Sequence, residues 1–381
     1  MKSTVPALNP ATLCVHSGTH VDENTGGICS PIFTSTSYGY PNATGENIYP
    51  RYFNVPNEVI VARKVAALEH AEAALVFSSG MAAISTTLLT LLKPGDHAIF
   101  QGSLYGGTYY FANHELARLG VEVSFAPNLA DFSSALRPNT RLLYVESPSN
   151  PLLRCIDLAA IAKIGREANV PTLIDNTFAT PVNQNPIVLG IDVVLHSGTK
   201  YLNGHSDVNC GVVASSRLLV DRITQSAMEY GGTLDSHACN QLERGLKTLF
   251  LRVRQQNESA TQLARFLQNH SSVAKVHYPG LPDHTDHAIA TRQMRAFGGM
   301  LSFELKDPAR VNAFLEHLQV VTPALSLGGV ESLVCIPSQT SHRSLSASER
   351  AAAGISDGLV RVSVGVEDLQ DILRDFDQAL R

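Results

Sequence analysis

Asp192-Val-Val-Leu-His-Ser-Gly-Thr-Lys-Tyr-Leu-Asn-Gly-His-Ser-Asp207 is the stretch around which the rest of the chain is read. Its apolar run, 193–195, predicts a buried strand. The strand opens into a turn of small residues with two hydroxyls, Ser197 and Thr199, and then a cation, Lys200. Comparable runs precede it at 74–77, 97–100, 121–125, 142–145 and 172–174, with helical patterns between several of them, notably 82–92 and 158–168. Strands alternating with helices predict an α/β fold whose mainly parallel sheet is covered on both faces. The run at 211–213 is expected to lie antiparallel at an edge of that sheet.

Outward from this core, residues 1 to about 50 are irregular and rich in Thr, Ser, Gly, Asn and Pro. Such an arm has no core of its own and is expected to lie on something else, such as another subunit. Residues 58–68 carry apolar positions at helical spacing. A long helix is expected over about 240–269, bridging to a smaller C-terminal domain. That domain has strand candidates at 299–305 and 360–364 and ends in the amphipathic stretch 369–380. The expected division is an arm over 1–51, a large domain over 52–243 and a smaller α+β domain over 244–381.

Composition narrows the function. The 381 residues are 44% hydrophobic and 17% charged, ordinary for a globular enzyme with a large core. The net charge of -5 comes with no basic block, which argues against nucleic acid or an anionic membrane surface as a partner. Six scattered cysteines without a CxxC pair fit free thiols in a reducing compartment. The segment 73–92 lacks charge and has the length of a membrane span, but Ser78-Ser-Gly80 interrupts it. A strand, a turn and a core helix account for it better. With no signal-peptide core near Met1, a cytoplasmic protein is expected.

The residues after the strand ends carry the chemistry. In an apolar surround Lys200 is pushed towards its neutral form, the nucleophile for a carbonyl, and the hydroxyls beside it suit a phosphate. An aldehyde with a phosphate arm describes pyridoxal phosphate, PLP; a solvated turn lysine is the competing reading. Ser78-Ser-Gly-Met-Ala-Ala83 joins a strand to a helix and offers an anion site at Gly80 and Met81. It is neither a dinucleotide fingerprint nor a nucleoside-triphosphate loop, so an NAD-type oxidoreductase is disfavoured. Asp175 ends a buried strand and could pair with a protonated pyridine nitrogen, or simply cap the turn. Tyr105 could stack on such a ring, or be a half-buried core tyrosine. Arg361 sits in an apolar strand pattern and needs an anion, either a substrate carboxylate or an internal acid. His196, His205, Asp207 and Cys210 cluster in sequence, but their spacing matches no zinc pattern, and no metal is expected.

Taken together, Tyr49-x-Arg51, Ser78–Ala83, Leu104–Thr108, Glu146–Pro151, Leu173–Phe178, His196–Asp207, Arg244–Leu249, Ser326–Ser332 and Leu359–Asp368 resemble the Cys/Met metabolism family of PLP enzymes. That family includes cystathionine γ-lyase, β-lyase and γ-synthase, methionine γ-lyase and O-acetylhomoserine sulfhydrylase. The resemblance implies the fold type I of PLP-dependent transferases, with a seven-stranded type of sheet, and a homotetramer of active dimers. It implies that Lys200 bears the PLP, Asp175 pairs its ring nitrogen and Tyr105 stacks on the ring. Gly80, Met81, Ser197 and Thr199 are implied to hold the phosphate, with Tyr49 and Arg51 reaching the phosphate of a neighbouring subunit. Asn150 and Arg361, with Ser332 beside them, are implied to bind the substrate carboxylate.

These features imply a carbon–sulfur lyase of sulfur amino-acid metabolism, acting on cystathionine or a related amino acid. γ-Replacement on an O-acylhomoserine is the alternative within the family, and an idle PLP-binding structural or regulatory protein the alternative outside it. Glu331 resembles the acid of the cystathionine γ-enzymes that meets a distal ammonium. Gly107 stands where methionine γ-lyases have a cysteine. Ile48 and Tyr110 stand where γ-lyases often have an acid and an arginine, and Asn54-Val-Pro-Asn57 departs from the usual Asn-Pro-Thr.

Overall fold

The computed structural model describes residues 8–40, 47–341, 343 and 346–381. Of the arm expected over 1–51, residues 1–7 and 41–46 lie outside the described residues.

Seven strands form the first sheet: β1 (Ala73–Phe77), β2 (His97–Gln101), β3 (Glu122–Ala126), β4 (Thr140–Glu146), β5 (Thr172–Asp175), β6 (Val193–Ser197) and β7 (Gly211–Ser215). Their order is β1-β7-β6-β5-β4-β2-β3. The pairs from β3 through β6 are parallel, whereas β7 is antiparallel to both β6 and β1. The antiparallel direction expected for 211–213 holds, but the expected edge position does not, because β7 lies between β6 and β1. All five residues of β7 are buried, which requires a neighbour on each side.

Successive side chains of a strand face opposite ways, and here both faces are covered. Leu75, Phe100, Tyr144, Leu173 and Val213 enter one core, with Phe100 and Tyr144 stacked at 5.1 Å. Ile99, Leu143, Val145, Ile174 and Val194 enter the opposite one. The charge-free segment at 73–92 is β1, a turn and the helix α3 (Gly80–Leu91), and no described helix is long and apolar enough to cross a membrane.

The second sheet has five strands, β8 (Val273–His277), β9 (Met300–Leu305), β10 (Thr322–Pro323), β11 (Leu333–Cys335) and β12 (Leu359–Ser363), in the order β10-β11-β12-β9-β8. It is antiparallel except for β10 with β11. Its core centres on Phe303, Phe314 and Phe376, with ring centroids 5.6 to 6.1 Å apart. β8 and β11 carried no alternation strong enough to flag them; partner strands, not local pattern, hold them extended.

Two helical expectations change. The stretch about 240–269 is two helices, Ser236–Lys247 and Leu249–Gln268, parted at Thr248, whose hydroxyl donates to the Gly245 carbonyl. The irregular arm contains the helix α1 (Pro10–His16), with Cys14 fully buried. α1 is held by Lys64 of α2 (Pro56–Glu69), whose buried amine donates to Cys14 O at 3.1 Å, Val15 O at 3.4 Å and Thr19 Oγ1 at 3.1 Å. Burial lowers that amine's pKa to about 8. α1 thus gains its partner from a distant lysine, which periodicity within the arm cannot reveal.

Candidate active site

β1, β2, β4, β5 and β6 end at one edge of the first sheet, the place where open α/β sheets bind ligands. Each contributes a residue at or just beyond its end, and β12 of the second sheet faces them. Between them lies a cavity of about 410 Å³.

Its phosphate-like end is built by β1 and α3 (Gly80–Leu91). Ser79 caps α3, accepting from Ala82 N at 3.0 Å, so the first N–H groups, at Gly80 and Met81, point past the helix end. Ser197 stands opposite. A Cβ on Gly80 would lie 3.0 Å from Ser197 Cβ, tighter than ordinary contact, so glycine is what lets the two walls close. Thr199 Oγ1 bonds Asn209 Oδ1 at 3.0 Å and accepts from Cys210 N at 2.9 Å, fixing the turn that presents Lys200. Arg252 fastens the far side of that turn through Tyr201 O at 2.8 Å.

Lys200 Nζ donates to Ser326 Oγ at 2.8 Å. Burial, and secondarily the charge of Arg361, hold its pKa below the usual lysine value, favouring the neutral amine. Asp175, at the end of β5, accepts from Thr177 N at 2.9 Å and Thr177 Oγ1 at 2.5 Å. Burial raises its pKa against those two donors. Tyr105, 46% exposed, lines the cavity from the β2 side.

Arg361, only 5% exposed, donates to Asn150 Oδ1 and to Ser326 O, both at 3.1 Å. Among the described residues it has no carboxylate partner. An internal acid, the competing explanation for this cation, is absent from its surroundings. A buried guanidinium bonded only to neutral oxygens leaves room for an anion.

Several expected residues stand elsewhere. Ser332 does not line the cavity; its N–H and hydroxyl both donate to Glu367, at 2.5 and 2.8 Å. Glu331 is hydrogen-bonded to Ser206 and also lies outside the lining. The serine that does reach the site is Ser326, at φ 118°, a left-handed backbone that a side chain rarely adopts. The Gly-Gly that follows at 328–329 is the sequence signal of a special loop, and of the two serines in that string it is Ser326, not the expected Ser332, that lines the cavity. Glu146 and Thr177, which hold Tyr105 and Asp175, were also missed, because second contacts have no sequence pattern. Tyr49 and Arg51 lie outside this chain's cavity, with Arg51 Nη1 donating to Met228 O at 2.6 Å. His196 pairs with Glu69, whereas His205 and Asp207 both bond Asn203.

The lining offers the donors that PLP requires. An amine whose pKa burial lowers, a buried carboxylate, an exposed aromatic face and a helix N-terminus opposite a hydroxyl all open on one cavity, and the Gly80 cradle leaves space where a side chain would fill it. The residues fit the group.

Comparison with known proteins agrees. Residues 11–381 match the model of the family described as Cys/Met metabolism PLP-dependent enzymes. The chain is 43% identical over 375 residues to a cystathionine γ-lyase of Bacillus subtilis, covering 97% of this chain and 98% of that protein. It is 42% identical over 381 residues to a cystathionine β-lyase of Coxiella burnetii, with 97% of each covered. Among solved structures, the cystathionine γ-lyase of Lactobacillus plantarum complexed with L-serine superposes with a TM-score of 0.93 at 38% identity, covering 98% of both chains.

Proposed function

This chain belongs to the Cys/Met metabolism PLP-dependent enzyme family, and from that premise we propose how its residues make it a carbon–sulfur lyase of sulfur amino-acid metabolism. The reaction is elimination on cystathionine or a related amino acid, giving a thiol, ammonia and a 2-oxo acid. One observation carries the reading: Ser326 touches both Lys200, through its hydroxyl, and Arg361, through its carbonyl. An amine that can move a proton and a cation that can hold a carboxylate are thereby set one small residue apart, the reach of an α-amino acid.

Bound PLP supplies a carbonyl for amines and a ring that absorbs negative charge from Cα. Asp175 would pair with the ring nitrogen and keep it protonated, and Tyr105 would lie against the ring. Gly80 and Met81 N–H, with Ser197 and Thr199, would hold the phosphate. Arg361 and Asn150 fix the substrate carboxylate, so that Cα presents its proton to Lys200 Nζ. Burial lowers the pKa of Nζ, which favours its taking that proton, and the Ser326 hydroxyl aims it. Nζ then delivers or removes protons further along the side chain, and the Tyr105 hydroxyl protonates the departing sulfur.

The arm supports a shared site. Tyr49 is 45% exposed and Arg51 lies outside this chain's own cavity, while Ile28 and Tyr40 are each 82% exposed. Tyr49 and Arg51 complete the phosphate site of a neighbouring copy, in a homotetramer of two active dimers working in the cytoplasm. The chemistry is tested by offering cystathionine, cysteine, homocysteine, methionine and O-acylhomoserines separately and identifying the 2-oxo acid. Cystathionine is expected to yield 2-oxobutyrate or pyruvate without a second substrate. Consumption of O-acylhomoserine only with cysteine or sulfide present, and no 2-oxo acid from cystathionine, would make it a replacement enzyme.

A further inference from the structure

At the floor of the cavity stands a carboxylate that the mechanism above does not use. Glu146 ends β4, 4% exposed, and lies in register beside Asp175 of β5. Its own N–H is fixed to Gln101 Oε1 at 3.0 Å. Its Oε2 accepts from Tyr105 N at 2.7 Å, and its Oε1 accepts from Asn150 N at 3.1 Å. No Lys, Arg or His among the described residues pairs with it. Burial, with the adjoining charge of Asp175, raises its pKa.

This is a costly group to bury beside another acid, and a purely structural contact between two loops has cheaper solutions. What the carboxyl uniquely provides is an acceptor at each of two oxygens. Glutamine in the same place would accept one N–H and set its own amide N–H against the other. The two N–H groups it holds are those of the residue whose ring covers one wall and of the residue whose side chain carries Arg361. Ser103 Oγ reinforces the tie, donating to Asn150 O at 3.2 Å.

We propose that Glu146 is a positioning residue that fixes the spacing between the aromatic wall at Tyr105 and the carboxylate anchor at Asn150 and Arg361. The proposal rests on the reading of that anchor given above. It concerns alignment and not cofactor binding, so its effect falls on ligands that carry a carboxylate.

The test uses the PLP-loaded protein and two amines without a leaving group, glycine and methylamine, each titrated by the change it makes in cofactor absorbance. In Glu146→Gln the glycine affinity is expected to fall about tenfold relative to methylamine, as one misplaced buried hydrogen bond implies. Cofactor content should stay that of the parent protein. Should Glu146→Gln not hold PLP, Glu146→Asp is read in the same way. An unchanged glycine-to-methylamine ratio overturns the proposal, and so does an equal loss of both ligands, which would mark a general structural role. Arg361→Ala serves as control. A ratio unmoved there would show that the anchor itself is misread, a separate failure that takes the Glu146 role down with it.

Discussion

Arg361 and Lys200 face one cavity from opposite sheets, and each changes what the other can do. The guanidinium is bonded only to neutral oxygens, and its charge helps to hold the Lys200 amine below the usual lysine range. Removing it should therefore act twice. Arg361→Ala is expected to lower kcat/KM for an amino-acid substrate roughly 100-fold through loss of the carboxylate bond. It should also raise the Lys200 pKa. Uptake of PLP by the cofactor-free protein needs the neutral amine, so its rate should climb at higher pH in the variant than in the parent. An unchanged pH midpoint would remove Arg361 from the list of groups that tune Lys200. At this scale the sequence was informative for residues at strand ends. Lys200, Asp175, Tyr105, Arg361 and Asn150 do converge on one cavity. It was uninformative for Ser326 and Ser332, which sit six positions apart in one loop and differ only in how the backbone turns each hydroxyl.

Among elements, the C-terminal helix Leu369–Leu380 shows how one side chain can secure a connection. Asp375, almost fully buried, accepts from the N–H groups of Val321, Gln319 and Val320 at 2.8 to 3.0 Å. Burial alone would raise its pKa, but the three backbone donors outweigh it and hold the carboxyl below the usual aspartate value. A depressed pKa means stability that is fully present above the unfolded aspartate's titration and lost as pH falls through the folded value. Asp375→Ala should cost about 2–4 kcal/mol at neutral pH, read by denaturant unfolding, and the cost should shrink under acid conditions. A cost that does not change with pH would mean the charged form is not what the turn requires. Strand and helix existence was largely legible because both faces of the first sheet are buried and the apolar runs are long. The helix 158–168 and the terminal helix 369–380 stand where periodicity put them. What escaped notice depended on partners distant in sequence: the interior place of β7, the short strands β8 and β11, and the helix α1 secured by Lys64.

Over the whole molecule, the site exists only where the two sheets meet. Arg361 from β12 reaches Asn150 beyond β4, Ser302 Oγ donates to Pro151 O at 2.7 Å, and Arg154 pairs with Asp286 at 2.6 Å near the same seam. The proposed role of Tyr49 and Arg51 extends this logic to a neighbouring copy and predicts complementation. Arg51→Ala and Lys200→Ala proteins should each be nearly inactive. Unfolded and refolded together, they should regain about a quarter of the parent activity, since half the dimers are mixed and one of their two sites is intact. No recovery would place both residues in service of their own chain. The claim on which all of this depends is that Lys200 carries the cofactor. Its most direct test is borohydride reduction of the PLP-loaded protein, followed by proteolysis and mass mapping of the pyridoxyl group. The account predicts a single label on the peptide containing Lys200; a label on another lysine, or none, would contradict it.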